Sequence, residues 1–263
     1  MRNRPRTSRV QAARAVFLAA ALVAAHAVAE PVSEADLPGH IQGDLGGLLG
    51  AERSPIRSDP TRLMLLPFAF FDYGRMYARL DTFGIKTLPV ASGYLELAFR
   101  VKFDGYQTAH NPALQGIDLR HHSLPLGLGT FQETRIGGFF LYALHDVSRS
   151  QGNLLEATWA AELKADSFTA YPEAGVEYYS ANYTRYYYGV SGAESARSGY
   201  ADYSPSGAAC PYLSVLVEMP LARGWNADLY VRRKWLAASI SNSPLVDMKV
   251  TDTAFAAIVA HFD

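Results

Sequence analysis

The sequence predicts an all-β protein, a closed antiparallel transmembrane β-barrel of about ten to twelve strands, with twelve favoured. Three observations predict this fold. Several stretches alternate apolar residues with polar or charged ones, which is the period of a β-strand. The 263-residue chain contains 16 Tyr and 13 Phe, but after residue 29 it has no apolar run as long as a membrane-spanning helix needs. Its N-terminus has the layout of an export signal.

The N-terminal segment predicts export. Five arginines precede or flank an apolar run over residues 15–23, and an Ala-Val-Ala sequence ending at Ala29 supplies the small residues of a cleavage site. The apolar run is too short for a transmembrane anchor, which needs about 20 residues. We therefore predict a signal peptide over residues 1–29 and an outer-membrane barrel domain over residues 30–263. Without these arginines the chain is mildly acidic, which does not favour nucleic-acid binding.

The clearest hairpin lies near the C-terminus, over residues 211–219 and 225–235. Apolar and polar residues alternate in both strands, and residues 220–224 supply the turn. Trp225 and Trp235 share one face and lie ten residues apart. At about 3.3 Å per residue and a tilt of about 40°, this spacing matches the ~25 Å height of a lipid-facing band between aromatic girdles. The tryptophans favour a membrane barrel over a soluble sandwich, which the alternation alone leaves open.

Three further segments, residues 94–104, 155–164 and 168–179, each carry an apolar face and a charged face. Burying unpaired charges in a dry core is unfavourable, so we predict that these side chains face water or one another inside the barrel. Mutual pairing would keep a narrow interior electrically neutral. The predicted interior charges are Glu96, Arg100, Lys102, Glu156, Glu162, Lys164, Glu173, Glu177, Asp228 and Arg232.

The remaining strands are less regular. Residues 40–51 are rich in glycine, and residues 62–73 form an apolar run in which Pro67 predicts a local bulge. The segments total eleven, whereas a barrel with both ends on one side needs an even number. A short strand at residues 186–191, within a long external loop over residues 182–209, would resolve this, as would a split of the glycine-rich start or one wrong segment. The other segments are residues 75–88, 121–130, 135–145 and 251–262.

The sequence predicts no catalytic, cofactor or metal site. His121 and His122 are neighbours on a predicted strand, so their side chains point to opposite faces and cannot ligate one ion. No G-x-S-x-G or comparable nucleophile signature is present. Cys210 stands beside Pro211 without a nearby histidine, so a role as a nucleophile is not favoured. We therefore expect that the protein is not an enzyme and has no cofactor.

Two sequence signatures resemble those of a known family. The first is Tyr-Tyr-Gly-Val-Ser over residues 187–191, with a further tyrosine downstream, and the second is Ser-Pro-Leu-Val over residues 243–246. Together with residues 65–67 and 114–118, they resemble the MipA/OmpV family of MltA-interacting outer-membrane proteins. The signature residues are Tyr187, Tyr188, Gly189, Val190, Ser191, Tyr203, Ser243, Pro244, Leu245 and Val246.

The resemblance implies a barrel in the lipid of the cell outer membrane that acts as a non-catalytic scaffold in peptidoglycan metabolism. Such a scaffold would link a membrane-bound lytic transglycosylase to a penicillin-binding murein synthase. A narrow porin-like channel for small solutes is the alternative. Candidate partner contacts are the predicted periplasmic turns at residues 132–134, 166–167 and 220–224, with the N-terminal segment 30–39.

The chain departs from the family pattern in two places. The first strand has Gly50-Ala51 followed by charged residues where the family has an aromatic-glycine pattern. The chain ends Phe262-Asp263, whereas barrels of this kind usually end on the aromatic residue. From the second departure we expect weaker recognition by the machinery that inserts barrels into the membrane.

Overall fold

The computed structural model describes residues 32–33, 37–109 and 111–263. The predicted signal peptide, residues 1–29, lies outside the described residues. Within the described chain, twelve antiparallel strands form one sheet that closes on itself. The prediction of an all-β closed barrel with twelve strands is therefore confirmed.

The strands follow one another around the barrel in chain order. The eighth strand has two pieces, because both pair with the same neighbouring strand on either side of a two-residue break. The strands are β1 Gln42–Glu52, β2 Arg62–Tyr73, β3 Met76–Arg79, β4 Thr82–Val90, β5 Gly93–Arg100, β6 Pro125–Thr134, β7 Gly137–Asp146, β8 Asn153–Ala160 with Leu163–Lys164, β9 Thr169–Tyr179, β10 Ala208–Ala222, β11 Trp225–Trp235 and β12 Val250–Phe262.

The barrel closes between its first and last strands. β12 pairs with β1 from Gly43↔Phe262 to Glu52↔Thr253, so neither terminal strand is left as a free edge. Closure satisfies backbone groups that lipid cannot bind. None of the helices in the described part of the chain is long and apolar enough to cross a membrane.

The period of two divides the side chains between lipid and interior. On β5, Leu97 and Phe99 are exposed on the outer surface, whereas Glu96, Ala98 and Arg100 are buried inside. The same division recurs around the wall, because successive side chains of a strand point to opposite faces. Other exposed apolar side chains on the outer surface are Leu49, Leu126, Leu128, Leu213, Leu229, Val231 and Ile258.

The two ends of the barrel differ. One end carries both terminal strand ends and the short turns at residues 74–75, 91–92, 135–136, 165–168 and 223–224. The other end carries the long connections with a 3-10 turn at Pro112–Leu114 and, in the described chain, three α-helices, α1 Ala181–Tyr188, α2 Gly192–Ser198 and α3 Ala238–Ser241. In barrels of this type the short turns face the periplasm and the long loops face the outside.

The predicted segment 75–88 was wrong as a single strand. The chain reverses at Leu80 and Asp81, which separates β3 from β4 and supplies the twelfth strand. Leu80 has φ of 58°, in the left-handed region where leucine is uncommon. A leucine gives no turn signal, so the sequence pattern could not show this reversal.

The predicted strand at residues 186–191 was also wrong, because its first three residues belong to helix α1 and Gly189 caps that helix. The turn predicted at residues 132–134 lies within β6, and the chain reverses at residues 135–136 instead. At residues 220–224 the strand β10 continues to Ala222, so the turn is shorter than predicted. The turn at residues 166–167 is confirmed.

Pro67 produces no bulge, contrary to prediction. β1 and β2 pair in continuous register through Gly47↔Pro67. The carbonyl of Ala69 accepts a hydrogen bond from the Leu80 amide, so the alternate residues Ala69 and Pro67 direct their backbone polar groups away from β1. The missing N–H of Pro67 therefore removes no hydrogen bond from the β1–β2 ladder.

Three tyrosines inside the barrel face glycines across the sheet. The pairs are Tyr77↔Gly84, Gly129↔Tyr142 and Gly175↔Tyr212. A Cβ atom at position 129 would lie 2.3 Å from the Tyr142 ring, and one at position 175 would lie 2.4 Å from the Tyr212 ring. Each glycine thus leaves the space into which a large ring folds across the neighbouring strand.

We expect Gly129→Ala to lower the free energy of unfolding by about 1–3 kcal/mol, because the added methyl group overpacks the Tyr142 ring. Gly47→Ala is the matched control, since nothing lies within 4 Å of a Cβ built there. Urea-induced unfolding of both variants in lipid vesicles measures the difference. Equal stability of the two variants would contradict this account of the glycine–tyrosine pairs.

Candidate functional site

The long connections fold together into a cap over one end of the barrel. The cap comprises residues 53–61, 101–124, 180–207 and 236–249. Its interior is a cluster of fully or almost fully buried apolar side chains that come from all four connections. These are Ile56, Tyr106, Leu114, Ile117, Tyr183, Tyr187, Val190, Ile240, Leu245 and Val246.

Helix α1 places tyrosines in the cap interior. Tyr183 and Tyr187 are one helical turn apart on the same side, with ring centroids 4.8 Å apart. The hydroxyl of Tyr106 donates to the Tyr187 carbonyl at 2.9 Å. Gly189 then ends the helix, and a Cβ there would lie 2.4 Å from the Arg185 carbonyl oxygen. Position 189 of the first signature therefore requires glycine, because a larger residue would clash with the Arg185 carbonyl oxygen.

The end of the first signature starts the next helix. The Ser191 hydroxyl accepts from the Glu194 amide, and the Glu194 carboxylate accepts from the Ser191 amide, which is a capping box. The same carboxylate lies 2.6 Å from the Arg120 guanidinium and accepts from the Asp118 amide at 3.0 Å. Glu194 therefore joins two connections of the cap.

These contacts set the pKa of Glu194. Burial alone would raise it, but hydrogen bonds from the Ser191 and Asp118 amides and from Arg120 outweigh burial. They lower the pKa of Glu194 to about 2. The carboxylate is therefore ionised in the folded cap under all physiological conditions.

The second signature attaches the remaining connections. The Ser243 hydroxyl donates to the Tyr188 carbonyl at 2.6 Å. The Leu245 carbonyl accepts from the Arg57 amide at 2.8 Å, and Val246 forms a bridge with Ile56. The structure thus brings the two signatures together, although more than 50 residues separate Tyr188 from Ser243. Tyr203 forms a bridge with Val190, and its hydroxyl donates to the Ser239 carbonyl at 3.0 Å. The Pro244 carbonyl accepts from the Arg57 side chain at 3.2 Å.

A network of paired charges fills much of the interior beneath the cap. Glu177, 1% exposed, lies 2.7 Å from Arg232 and 3.0 Å from Lys234, with Lys102 at 3.9 Å. Glu156 pairs with Arg100 and accepts from the Tyr212 hydroxyl at 2.8 Å.

Aromatic rings complete the network. The Arg232 guanidinium lies 3.7 Å from the Tyr212 ring centroid, and the Arg100 guanidinium lies 4.9 Å from that of Tyr142. Such cation–π contacts are stronger when the cation is desolvated. The positive and negative charges of this network therefore nearly cancel, and each side chain is held in place by its partners.

The other predicted interior charges occupy different surroundings. Glu96 and Asp228 are buried, and Glu173 accepts from the Ser214 hydroxyl at 2.5 Å. Glu162 and Lys164 pair at 3.1 Å but are exposed at the short-turn end, because the break in β8 carries them out of the regular wall.

Sequence reasoning missed Asp72, which pairs with Arg79 at 2.8 Å and Lys86 at 3.2 Å. The misread segment 75–88 concealed this group.

The described residues contain no group of three or more His, Cys, Asp or Glu side chains arranged to hold a metal ion. His122 accepts a hydrogen bond from the Gly105 amide at 3.2 Å and contacts the Phe103 ring, while Cys210 is fully buried. The contacts of these side chains stabilise the fold. The arrangement is suited to holding a rigid barrel with a closed cap.

The comparisons identify the family. A family model described as MltA-interacting protein MipA matches residues 45–262. This chain belongs to the MipA family. The match begins within β1 and continues to the end of β12. It therefore includes both signatures, the cap and the charge network. The resemblance inferred from the signatures is therefore confirmed.

Relatives in the MipA family carry outer-membrane names. The putative outer membrane protein YiaT of Escherichia coli strain K12 is 26% identical over 212 residues, covering 77% of this chain and 84% of the relative. The MltA-interacting protein of the same strain is 26% identical over 223 residues, covering 81% and 88%. Together with the closed barrel, these names support a location in the outer membrane.

We expect acid to loosen the cap. Folding lowers the pKa of Glu194 to about 2, against about 4.3 when unfolded. Its stabilising contribution is therefore complete above about pH 4.3 and is lost as the pH falls through about 2. Hydrogen exchange of the amides in residues 181–207, measured across this range, should show falling protection.

The variant Glu194→Gln tests the cause. It should weaken protection of the same amides at neutral pH by about 3 kcal/mol, because Arg120 is left buried without its partner, and it should lose the acid dependence. Asp202→Asn, an exposed carboxylate in the same connection, is the control. An unchanged acid response in Glu194→Gln would contradict the assignment.

Proposed function

We propose that this chain is a non-catalytic scaffold of the outer membrane that binds a lytic transglycosylase and links it to a penicillin-binding murein synthase. Its relative in Escherichia coli is named for an interaction with MltA. The observation that carries the proposal is the closed architecture: a folded cap covers one end and paired charges occupy the interior. A barrel closed in this way would act through the surfaces that it presents to other proteins. The proposal includes export directed by residues 1–29, which are then removed as a signal peptide.

The short-turn end is the surface that such a partner would meet, because it faces the periplasm. There the hairpin of β10 and β11 exposes Leu221 by 56%, beside the lipid-facing Trp225. A concavity of about 350 Å³ lies beside them, lined also by Arg223 and His261. Exposed apolar side chains beside polar ones are typical of a protein contact.

The N-terminal segment enlarges this surface. The Pro38 carbonyl accepts from the Gly74 amide at 2.8 Å, and the Ser33 carbonyl accepts from the Tyr94 hydroxyl at 2.5 Å. These contacts hold the described part of residues 30–39 against the short-turn end. Short turns alone offer little area, and a stable interface needs about 800 Å² from each partner. We infer that the segment contributes to the contact.

We expect a bulky polyethylene glycol group on Ser167→Cys, at the short-turn end, to weaken binding of the transglycosylase at least tenfold. The same group on Arg149→Cys, at the cap end, should leave binding unchanged. Both variants carry Cys210→Ser, although Cys210 is fully buried. Binding of purified, labelled barrels in nanodiscs is measured by surface plasmon resonance. Loss of binding from the cap end alone would overturn the proposed orientation of the contact.

A narrow channel is the second candidate, because the interior retains a cavity of about 430 Å³. The cap and the charge network stand against it, since conduction needs a continuous water path. We expect the purified chain to give no stable single-channel steps in planar bilayers under conditions in which a known porin conducts. Regular, reproducible steps would support the channel and would contradict the proposal that the cap and the paired charges close the barrel.

A further inference from the structure

The barrel wall has a gap beside β2. The β2–β3 pairing covers Phe70–Tyr73 alone, whereas β1 pairs with β2 along its whole length. The side chains of Leu63 and Leu65 are 78% and 82% exposed, against 53% for Leu97 on a strand flanked on both sides. This excess exposure is what a missing neighbouring strand produces.

We call this gap the window. Its borders are residues 63–69 of β2, the reversal at residues 80–81 and the segment 101–104. Below, the Val101 amide donates to the Asp81 carbonyl at 2.9 Å. Above, the Arg62 guanidinium donates to the Phe103 carbonyl at 2.5 Å. The window is therefore framed on all sides by fixed contacts.

The β2 edge of the window presents backbone groups. Leu63 and Leu65 belong to the same alternate set as Ala69, whose carbonyl points away from β1 to the Leu80 amide. The amides of Leu63 and Leu65 therefore also point away from β1, and within the described residues no carbonyl pairs with them across the window. Irregular or unpaired backbone at membrane depth is tolerated where it lines a hydrated or polar cavity. The edge thus indicates that polar atoms reach the window from inside.

The cavity of about 430 Å³ lies behind the window and has two unlike walls. β1, β2 and β12 supply an apolar wall that includes Leu48, Met64, Leu66 and Phe255. The wall toward the cap is charged, and its charges are of both signs. They are Glu52, Lys102, Asp104, Arg232 and Lys234.

The charged wall has unused hydrogen-bonding capacity of both kinds. The Lys102 ammonium lies 3.9 Å from Glu177 and 4.0 Å from Asp104, beyond hydrogen-bond length. The buried Nε of Arg232 has no partner within the described residues. Glu52 accepts no hydrogen bond from the described residues, although Lys102 and Lys234 are within electrostatic reach. The wall therefore offers donors and an acceptor to one ligand.

We propose that this cavity binds a phospholipid with one acyl chain and a zwitterionic phosphate–ammonium head group, which enters from the bilayer through the window. The acyl chain lies along Met64 and Leu66, the phosphate meets Lys102 and Arg232, and the ammonium meets Glu52. Cavities of this size are typical of small-molecule sites. A zwitterion matches a wall in which donors and an acceptor both remain free.

The chain contains a matched pair of residues for the test. Leu66 lines the cavity, whereas its neighbour Leu65 projects from the outer surface. Native mass spectrometry of the detergent-purified chain with lysophosphatidylethanolamine measures binding. We expect Leu66→Trp to lower the affinity at least tenfold by filling the cavity, and Leu65→Trp to change it less than twofold. Equal weakening by both variants would indicate lipid bound around the barrel and would overturn the proposal.

A second arm tests the head group. Lys102→Met should lower the affinity for lysophosphatidylethanolamine about tenfold, as the loss of one charged hydrogen bond predicts. Lysophosphatidylglycerol of the same chain length should bind the wild type more weakly, because it lacks the ammonium. Tighter binding of that anionic lipid would overturn the zwitterionic assignment.

Circular dichroism verifies that each variant is folded. If Leu66→Trp does not fold, Met64→Phe fills the same cavity with a smaller addition and should lower the affinity in the same direction. Unchanged affinity in a folded Met64→Phe variant would also overturn the proposal.

Discussion

Lipid tails offer a polypeptide no hydrogen-bonding partner, so a backbone that crosses the bilayer must pair its own N–H and C=O groups. This chain meets that requirement by laying β12 against β1, two strands from opposite ends of the described sequence. Closure gives the barrel a small interior, which side chains largely fill. The glycines opposite Tyr142 and Tyr212 then become necessary, because large rings must fit within that limited space.

The buried charges are a consequence of the same small interior. Removing Glu177 would leave the partly buried Arg232 and Lys234 without their main partner, and such a loss is destabilising. The pairs therefore bind distant strands to one another: Glu177 on β9 and Arg232 on β11 are 55 residues apart. Above them the cap uses a separate set of contacts, centred on Glu194 and Ser243. Paired charges thus hold the barrel strands together, and buried contacts hold the four connections of the cap together.

Strand periodicity made most of this fold predictable. In segments such as 62–73 and 94–100 the alternation shows which side chains face outward, because one face must meet lipid and the other must not. The strand predicted over residues 94–104 ends at Arg100. The reversal at Leu80 and helix α1 could not be predicted. A leucine with positive φ has no local signal, and the tyrosines of α1 are more typical of strands than of helices.

The site was predictable in part. The signature residues were found from the resemblance. Alternation marked most of the interior charges, but it missed Asp72 and included Glu162 and Lys164, which are exposed. Which charge pairs with which depends on the register of strands far apart in the chain, and periodicity does not encode it. The position of the signatures at the centre of the cap likewise required the fold.

Pro67 has a consequence for how neighbouring barrels meet in a crowded membrane. An incompletely covered strand is a template on which a second molecule can extend its sheet, and proline interrupts that template since it has no N–H to donate. Here the residue sits midway along the uncovered stretch of β2. Two copies cannot join there by continuous strand pairing, so the opening stays accessible to smaller molecules from the surrounding bilayer.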